Sequence, residues 1–169
     1  LLSVIIPTYN ERENVEEIIN RLERALKNIS FEIIFVDDDS PDGTATLIRE
    51  QTKSKPHVSL IHRLGRRGLA GAVIEGILSS KSEICAVIDC DLQHDETKLP
   101  EMYSLFEKKP NLDLVVGSRF LNEGDISVGA FSYVRKFGSS LATFYTKKLL
   151  GIRISDPLSG FFMVKRNSF

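Results

Sequence analysis

The chain has 169 residues, 42% of them hydrophobic, which is enough to bury one core and too short for two ordinary domains. Its 22 lysines and arginines nearly balance its 23 aspartates and glutamates, so no overall charge excess favours nucleic acid or a membrane coat as a partner. Any electrostatic function must therefore be local. We expect a single domain spanning residues 1–169.

Several features of the sequence bear on its cellular setting. It contains no signal peptide and no apolar run of about eighteen residues, so we expect this chain itself to be soluble. It begins at Leu1 without Met and stops at Phe169 shortly after the apolar stretch GFFMV, which predicts a fragment of a longer protein. Cys85 and Cys90 are predicted on opposite faces of one strand and unpaired, which fits a reducing compartment.

Apolar runs and amphipathic helices alternate along the chain. LLSVIIP at 1–7 predicts a buried strand, and helical spacing follows it at Val15, Ile18, Ile19, Leu22 and Leu26. The alternation continues four times, with strands predicted at 31–36, 57–62, 83–89 and 112–118 and helices within 37–53, 68–80, 95–109 and 131–150. Five strand-helix alternations predict an α/β fold, a mostly parallel sheet with helices on both faces.

Acidic residues cluster where the predicted strands end. They are Glu11, Asp37, Asp38, Asp39, Asp89 and Asp91. Ligands of open parallel sheets bind at the carboxyl ends of the strands, so this edge is where function is expected. The acids cannot share it cheaply unless a cation or hydrogen-bond donors neutralise them, and a divalent metal is the simplest remedy.

The segment VIDCDLQHD, at 87–95, is the strongest candidate metal site. Asp89 and Asp91 are two apart, so an extended chain places both carboxylates on one side, with Gln93 in the same phase. Oxygen ligands favour Mg²⁺ or Mn²⁺, and such an ion usually also binds a phosphorylated ligand. The alternative is that these acids cap the next helix or stay solvated. We expect His94 beside the cluster and not on the metal, and Asp95 at the next helix start.

The second acidic loop, DDDSPDGT at 37–44, supports two interpretations together. Ser40 to Gly43 are good turn residues, and an acid here would cap the following helix. Asp38 or Asp39 would meanwhile face a ligand and accept hydrogen bonds from a nucleobase or a ribose. Tyr9 in the first loop either stacks on that base or packs on the surface.

The basic loop LGRRG, at 64–68, precedes a predicted helix. Gly68 and Gly71 would let a phosphate approach the helix N-terminus, but neither a P-loop nor a Rossmann glycine pattern is present. The favoured interpretation is a solvated basic loop, with Gly71 and Gly76 serving close helix packing.

Five motifs together resemble one enzyme family. They are SVIIPTYNERENV, FVDDDSPDGT, CDLQHD, VGSRF and DPLSGFF, in the order and at about the spacing of family 2 glycosyltransferases with the GT-A fold. Within that family the chain is most similar to polyprenyl-phosphate (dolichyl-phosphate) mannose synthases, from residue 2 to about 165. It lacks the Q-x-x-R-W motif of processive polymer synthases.

The resemblance implies an inverting, metal-dependent transfer of mannose from GDP-mannose to a polyprenyl phosphate at the cytoplasmic face of a membrane. The residues it implies for nucleotide-sugar binding are Pro7, Tyr9, Glu11, Val36, Asp38, Asp89, Cys90, Asp91 and Arg119. It implies a metal site of Asp89, Asp91 and Gln93 for Mg²⁺ or Mn²⁺, and catalytic roles for Asp91, Arg119 and Arg135.

Other functions stay open on the sequence alone. The donor is UDP-glucose in related polyprenyl-phosphate glucose synthases, and a hydroxyl acceptor would need a base such as Asp156. Phosphatases of the haloacid dehalogenase type also use D-x-D, and a non-catalytic nucleotide-sugar-binding domain would keep the same acids. The amphipathic segment 131–150 either faces the core or lies on a membrane surface.

Overall fold

The computed structural model describes residues 1–117 and 159–168, which form six strands and four α-helices. The strands are β1 (Leu2–Thr8), β2 (Phe31–Asp37), β3 (Val58–His62), β4 (Ile84–Val87), β5 (Leu114–Val116) and β6 (Phe162–Lys165). The helices are α1 (Val15–Ala25), α2 (Thr44–Ser54), α3 (Leu69–Ser79) and α4 (Leu99–Lys108). Short 3-10 turns cover Arg12–Asn14, Glu96–Lys98 and Arg166–Ser168.

The six strands form one sheet in the order β3-β2-β1-β4-β6-β5. β1 lies between β2 and β4 and is parallel to both, with Val4 opposite Ile33 on one side and Ala86 on the other. All seven residues of β1 are buried, and since neighbouring side chains point to opposite faces, both faces of the sheet are covered. The predicted α/β class with a mostly parallel sheet is confirmed.

Strand β6 departs from the parallel pattern. It runs antiparallel to β4, with Val87 opposite Phe162, and lies between β4 and β5. The sequence shows the apolar run FFMV, at 161–164, which overlaps β6, but the strand-helix alternation contains no signal that this run inserts between β4 and β5. β6 is therefore an element that the sequence analysis did not predict.

The predicted helices α1 to α4 are confirmed, while the helix predicted at 131–150 lies outside the described residues. The apolar positions predicted for α1, from Val15 to Leu26, are all buried. α3 packs closely on β1 and β2, because a Cβ on Gly76 would lie 2.4 Å from Ile5 Cγ2 and 3.0 Å from Val36 Cγ2. Gly76 thus serves close helix packing, as the sequence predicted.

The chain divides into two compact units. The first comprises Leu1–Val115 and Phe162–Phe169, and the second comprises Val116–Phe161. Of the second unit the structure describes Val116–Gly117 and Ser159–Phe161, where Ser159 Oγ donates to the Gly117 carbonyl at 2.7 Å. The single domain expected from the sequence therefore stays a prediction. No helix in the described ranges is long and apolar enough to cross a membrane.

Candidate active site

A cavity of about 430 Å³ opens at the carboxyl ends of β1, β2 and β4. Its lining comes from residues within 7–11, 67–72 and 89–91, together with Asp38. This volume is typical of small-molecule sites, and the position is the one expected for a ligand of an open parallel sheet. The predicted site residues on its wall are Pro7, Tyr9, Glu11, Asp38, Asp89, Cys90 and Asp91.

Two of the predicted site residues that the structure describes, Val36 and Gln93, are not on this wall. Val36 is fully buried in the core under α3, and its side chain packs near Gly76. Gln93 is exposed and does not line the cavity. Arg119 and Arg135 lie outside the described residues, as does Asp156.

Asp37 holds the end of β2 in place. Its carboxylate is fully buried and accepts hydrogen bonds from Thr8 Oγ1 at 3.0 Å, Ser40 N at 3.0 Å and Ser40 Oγ at 2.6 Å. These donors come from β1 and from the loop before α2. Asp37 therefore joins the first two strand ends and is a structural residue.

Asp38 and Asp39 each contact a basic side chain and a backbone N–H. Asp38 is buried, with Oδ1 bonded to Arg63 Nη1 at 2.5 Å and Oδ2 accepting from Gly68 N at 2.6 Å. Asp39 contacts His62 Nε2 at 3.2 Å and Gly65 N at 3.4 Å. Hydrogen-bond donors, with the Arg63 guanidinium at Asp38, thus satisfy the acids at the end of β2, and of Asp37, Asp38 and Asp39 only Asp38 lines the cavity.

The chain turns sharply after β4, and the extended row predicted from Asp89 to Gln93 is wrong. The strand ends at Val87, and Leu92 has a φ of 61°. Gln93 N donates to Asp91 Oδ1 at 3.1 Å, because a short carboxylate readily captures the backbone N–H two residues ahead. Asp89 and Asp91 still reach the cavity together, but they do so from a turn.

Two neighbours complete this turn as the sequence predicted. His94 Nε2 lies 3.2 Å from Asp89 Oδ2, so the imidazole orients that carboxylate. Asp95 Oδ1 accepts from Thr97 N at 3.0 Å and begins the 3-10 turn at Glu96–Lys98. An acid was also expected at the start of α2, and Asp42 Oδ1 accepts from Thr44 N at 3.0 Å from the position before the N-cap residue Gly43.

The donor atoms at Asp89 and Asp91 fit an ion that the protein shares with a bound phosphate. Within residues 1–117 and 159–168 no group of three or more His, Cys, Asp and Glu side chains is arranged to hold a metal. Mg²⁺ and similar hard ions commonly take one or two protein carboxylates and complete their shell with substrate phosphates and water. The two carboxylates on the cavity wall match that pattern.

Arg67 is a cavity residue that the sequence analysis did not single out. Its guanidinium carbon lies 4.7 Å from the centre of the Tyr9 ring, which is a cation–π contact across the cavity wall. Gly68 follows it with a φ of 127° and precedes the first residue of α3. The signal in the sequence is the basic loop before a helix start, and this loop is exposed, as predicted.

We expect an alkylating reagent such as iodoacetamide at about pH 8 to leave both cysteines of the folded protein unlabelled. Cys85 and Cys90 are unpaired, as predicted, and both are buried, but Cys90 lies beyond the end of β4 and not on the strand predicted for it. Burial raises the pKa of both thiols, and the carboxylates of Glu11, Asp91 and Asp89 raise the pKa of Cys90 further, so little reactive thiolate forms. Mass spectrometry would show no adduct before unfolding in urea and two afterwards. Rapid labelling of the native protein at Cys90 would contradict this placement.

Comparison with known proteins gives these features a context. The family model described as "Glycosyl transferase family 2" matches residues 3–169. A dolichol-phosphate mannosyltransferase of Pyrococcus furiosus is 39% identical over 98% of this chain and 46% of its own length. A polyprenol monophosphomannose synthase of Mycolicibacterium smegmatis is 34% identical over 96% of this chain and 61% of its own length. The chain thus spans about half the length of these curated relatives.

Solved structures share the fold. The mannosyltransferase PcManGT from Pyrobaculum calidifontis, solved with GDP-Man and Mn²⁺, matches with a TM-score of 0.60 and 26% identity, over 69% of this chain and 35% of that one. Several sugar-3-phosphoglycerate synthases under 25% identical match with TM-scores up to 0.72, and they show the fold alone. The GT-A fold expected from the resemblance is confirmed.

Proposed function

Because the chain belongs to glycosyl transferase family 2, we propose that it transfers mannose, with inversion at the anomeric carbon, from GDP-mannose to a polyprenyl (dolichyl) phosphate. The observation that carries the proposal is the cavity with carboxylates at both of its ends. Asp38 follows β2, and Asp89 and Asp91 follow β4, with β1 between them. Strands lie about 4.8 Å apart, so these ends are separated by about 10 Å, a span suited to a nucleoside diphosphate.

The two ends of the cavity suit different parts of the donor. Asp38, Tyr9 and Arg67 offer an acceptor, an aromatic face and a cation, and we place the nucleoside there. Asp89 and Asp91 are placed at the diphosphate. Glu11 and Cys90 lie on the wall between these groups.

A divalent ion, Mg²⁺ or Mn²⁺, bound by Asp89 and Asp91 would act as a Lewis acid that neutralises the departing nucleoside diphosphate. The chain prepares these carboxylates for that role. His94 orients Asp89, and Gln93 N holds Asp91 Oδ1. The Mn²⁺ in the PcManGT structure supports this part of the proposal. Ligation of the divalent ion by Gln93 stays a prediction. In the structure its side chain is exposed and does not line the cavity.

The proposed acceptor explains why a strong general base is dispensable. A phosphate monoester has a second pKa near about 6, so its oxygen is largely ionised at neutral pH and needs positioning more than deprotonation. Arginine is suited to that task, because its planar guanidinium pairs with phosphate. We assign it to Arg119 and Arg135, and we place the protein at the cytoplasmic face of a membrane, where a polyprenyl phosphate resides.

A donor screen followed by a transfer assay tests the function. We expect GDP and GDP-mannose with Mn²⁺ to raise the Tm, since a ligand at about 100 times its Kd adds about 2.7 kcal/mol to stability. Radiolabelled mannose should then appear in the lipid phase with polyprenyl phosphate as acceptor. A larger shift and transfer with UDP-glucose would instead establish the glucose synthase alternative.

Other results of the same screen would refute the proposal. Binding of nucleotide sugars without transfer to any lipid phosphate would support a non-catalytic binding domain. Release of inorganic phosphate from a general phosphatase substrate, without nucleotide binding, would support the phosphatase alternative. Transfer to a sugar hydroxyl, and not to a lipid phosphate, would make Asp156 the candidate general base.

A further inference from the structure

Arg63 is a buried cation directly behind the cavity wall. It follows β3, its side chain is 7% exposed, and it does not itself line the cavity. Its Nη1 donates to Asp38 Oδ1 at 2.5 Å and to the Gly68 carbonyl at 3.2 Å, and its Nε donates to Glu75 Oε2 at 3.0 Å. A buried guanidinium is costly unless it is paired, so these three contacts define one arrangement for it.

Two residues of α3, Glu75 and Gly71, stabilise the buried position of the Arg63 guanidinium. Glu75, on α3, also accepts from Arg66 Nη1 at 3.0 Å and from Arg66 Nη2 at 2.9 Å. Gly71, on the same helix, leaves the room that the guanidinium occupies, because a Cβ there would lie 2.6 Å from Arg63 Nη2. This glycine thus serves the packing of an arginine, which the sequence did not reveal.

The network reaches the ligand side through Asp38 and Gly68. Asp38 gives one oxygen to Arg63 and the other to Gly68 N, and a carboxylate with about four lone-pair positions keeps acceptor capacity beyond these two bonds. Gly68 follows Arg67, and both line the cavity. One buried arginine therefore determines where two parts of the wall lie: the carboxylate after β2 and the start of α3.

We propose that Arg63 is a positioning residue that presets the nucleoside end of the cavity by holding Asp38 and Gly68 in their binding geometry. The inference rests on the proposed function and deepens it. A wall that is already ordered lowers the cost of binding, so loss of Arg63 weakens nucleotide binding. The carboxylates Asp89 and Asp91 are at the end of β4 and do not contact Arg63, so the chemical step is spared.

The test compares Arg63→Met with Arg66→Met. Both arginines contact Glu75, but only Arg63 reaches Asp38, so the pair separates loss of a surface contact from loss of the positioning contact. By calorimetry with GDP and Mn²⁺, we expect Arg63→Met to raise the Kd at least about tenfold and Arg66→Met to change it less than about twofold. In the transfer assay Arg63→Met should raise the KM for the donor in parallel while kcat stays within about threefold.

Two milder variants keep the inference testable if Arg63→Met does not fold. Gly71→Ala places a methyl against Nη2, and Arg63→Lys keeps the charge but cannot bridge Asp38, Gly68 and Glu75 together. Circular dichroism establishes that each variant is folded. We expect both to raise the Kd for GDP by about threefold or more, with kcat little changed.

The outcomes separate the two proposals. If the wild-type protein binds neither GDP nor UDP, the proposed function fails. If the wild type binds and folded variants at Arg63 and Gly71 bind equally well, the positioning role is overturned. A fall in kcat at unchanged Kd would overturn it too.

Discussion

We expect that replacing Asp91 by Asn lowers kcat/KM for the proposed mannosyl transfer by about 10²–10³-fold, the loss typical of removing an electrostatic contact to a developing charge. The asparagine Oδ1 still accepts the hydrogen bond from Gln93 N, so the turn after β4 is kept. What disappears is the negative charge that would hold a divalent ion beside the departing diphosphate. Incorporation of radiolabelled mannose into polyprenyl phosphate, measured over a range of Mn²⁺ concentrations, gives the value.

Asp95→Asn is the matched control for this variant. It makes the same charge change four residues further along, at an acid that begins the 3-10 turn at Glu96–Lys98 and is not on the cavity wall. Asparagine is about as effective as aspartate as an N-cap residue, so the 3-10 turn should be kept. Transfer activity should therefore stay within about twofold of the wild-type value. Unchanged transfer by Asp91→Asn would rule out the role assigned to this carboxylate.

Replacing Asp37 by Asn lowers the free energy of unfolding by about 3 kcal/mol. The buried carboxylate accepts from Thr8 Oγ1, Ser40 N and Ser40 Oγ, and an amide cannot accept from all of them. Each buried donor left unpaired costs about 1–3 kcal/mol. Urea denaturation, monitored by circular dichroism, measures the difference in unfolding free energy between the variant and the wild type. The dependence of that free energy on urea concentration should be the same for both.

The neighbouring Asp39→Asn variant controls for the charge. Its side chain is 44% exposed, and its φ of 58° suits asparagine as well as aspartate. We expect a loss below about 1 kcal/mol, as for exposed ion pairs in general. Equal losses at the two positions would mean that net charge in this loop, and not the hydrogen bonds of Asp37, sets its stability.

The parts of the fold that follow from local pattern were predictable. Alternating apolar runs and helical spacing predicted β1 to β5 and α1 to α4, because burial imposes those periods on the sequence. β6 was not predictable, since an antiparallel return beside β4 depends on pairing between segments far apart in the chain. The turn at Asp91 was missed because its hydrogen bond to Gln93 N overrides the extended period assumed there.

The candidate site was also predictable only in part. Asp38, Asp89 and Asp91 could be located because the ends of parallel strands meet at one edge of the sheet. The contact between Arg63 and Asp38 could not be predicted. Several arginines lie in one basic stretch, and only the folded chain shows which of them is buried. The sequence suggested a metal as the simplest partner for all the acids, whereas hydrogen bonds and the Arg63 guanidinium already satisfy those at the end of β2.

The position of β6 also bears on how the chain is made. β4 gains its second neighbour only when Phe162–Lys165 has been synthesised, long after β1, β2 and β3 are available to pair. At about 5–20 residues per second, one edge of β4 is left open for several seconds on the ribosome. An open strand edge invites pairing with other chains. The nascent protein is therefore exposed to aggregation at this edge during that interval, and a pause in translation before residue 162 would prolong it.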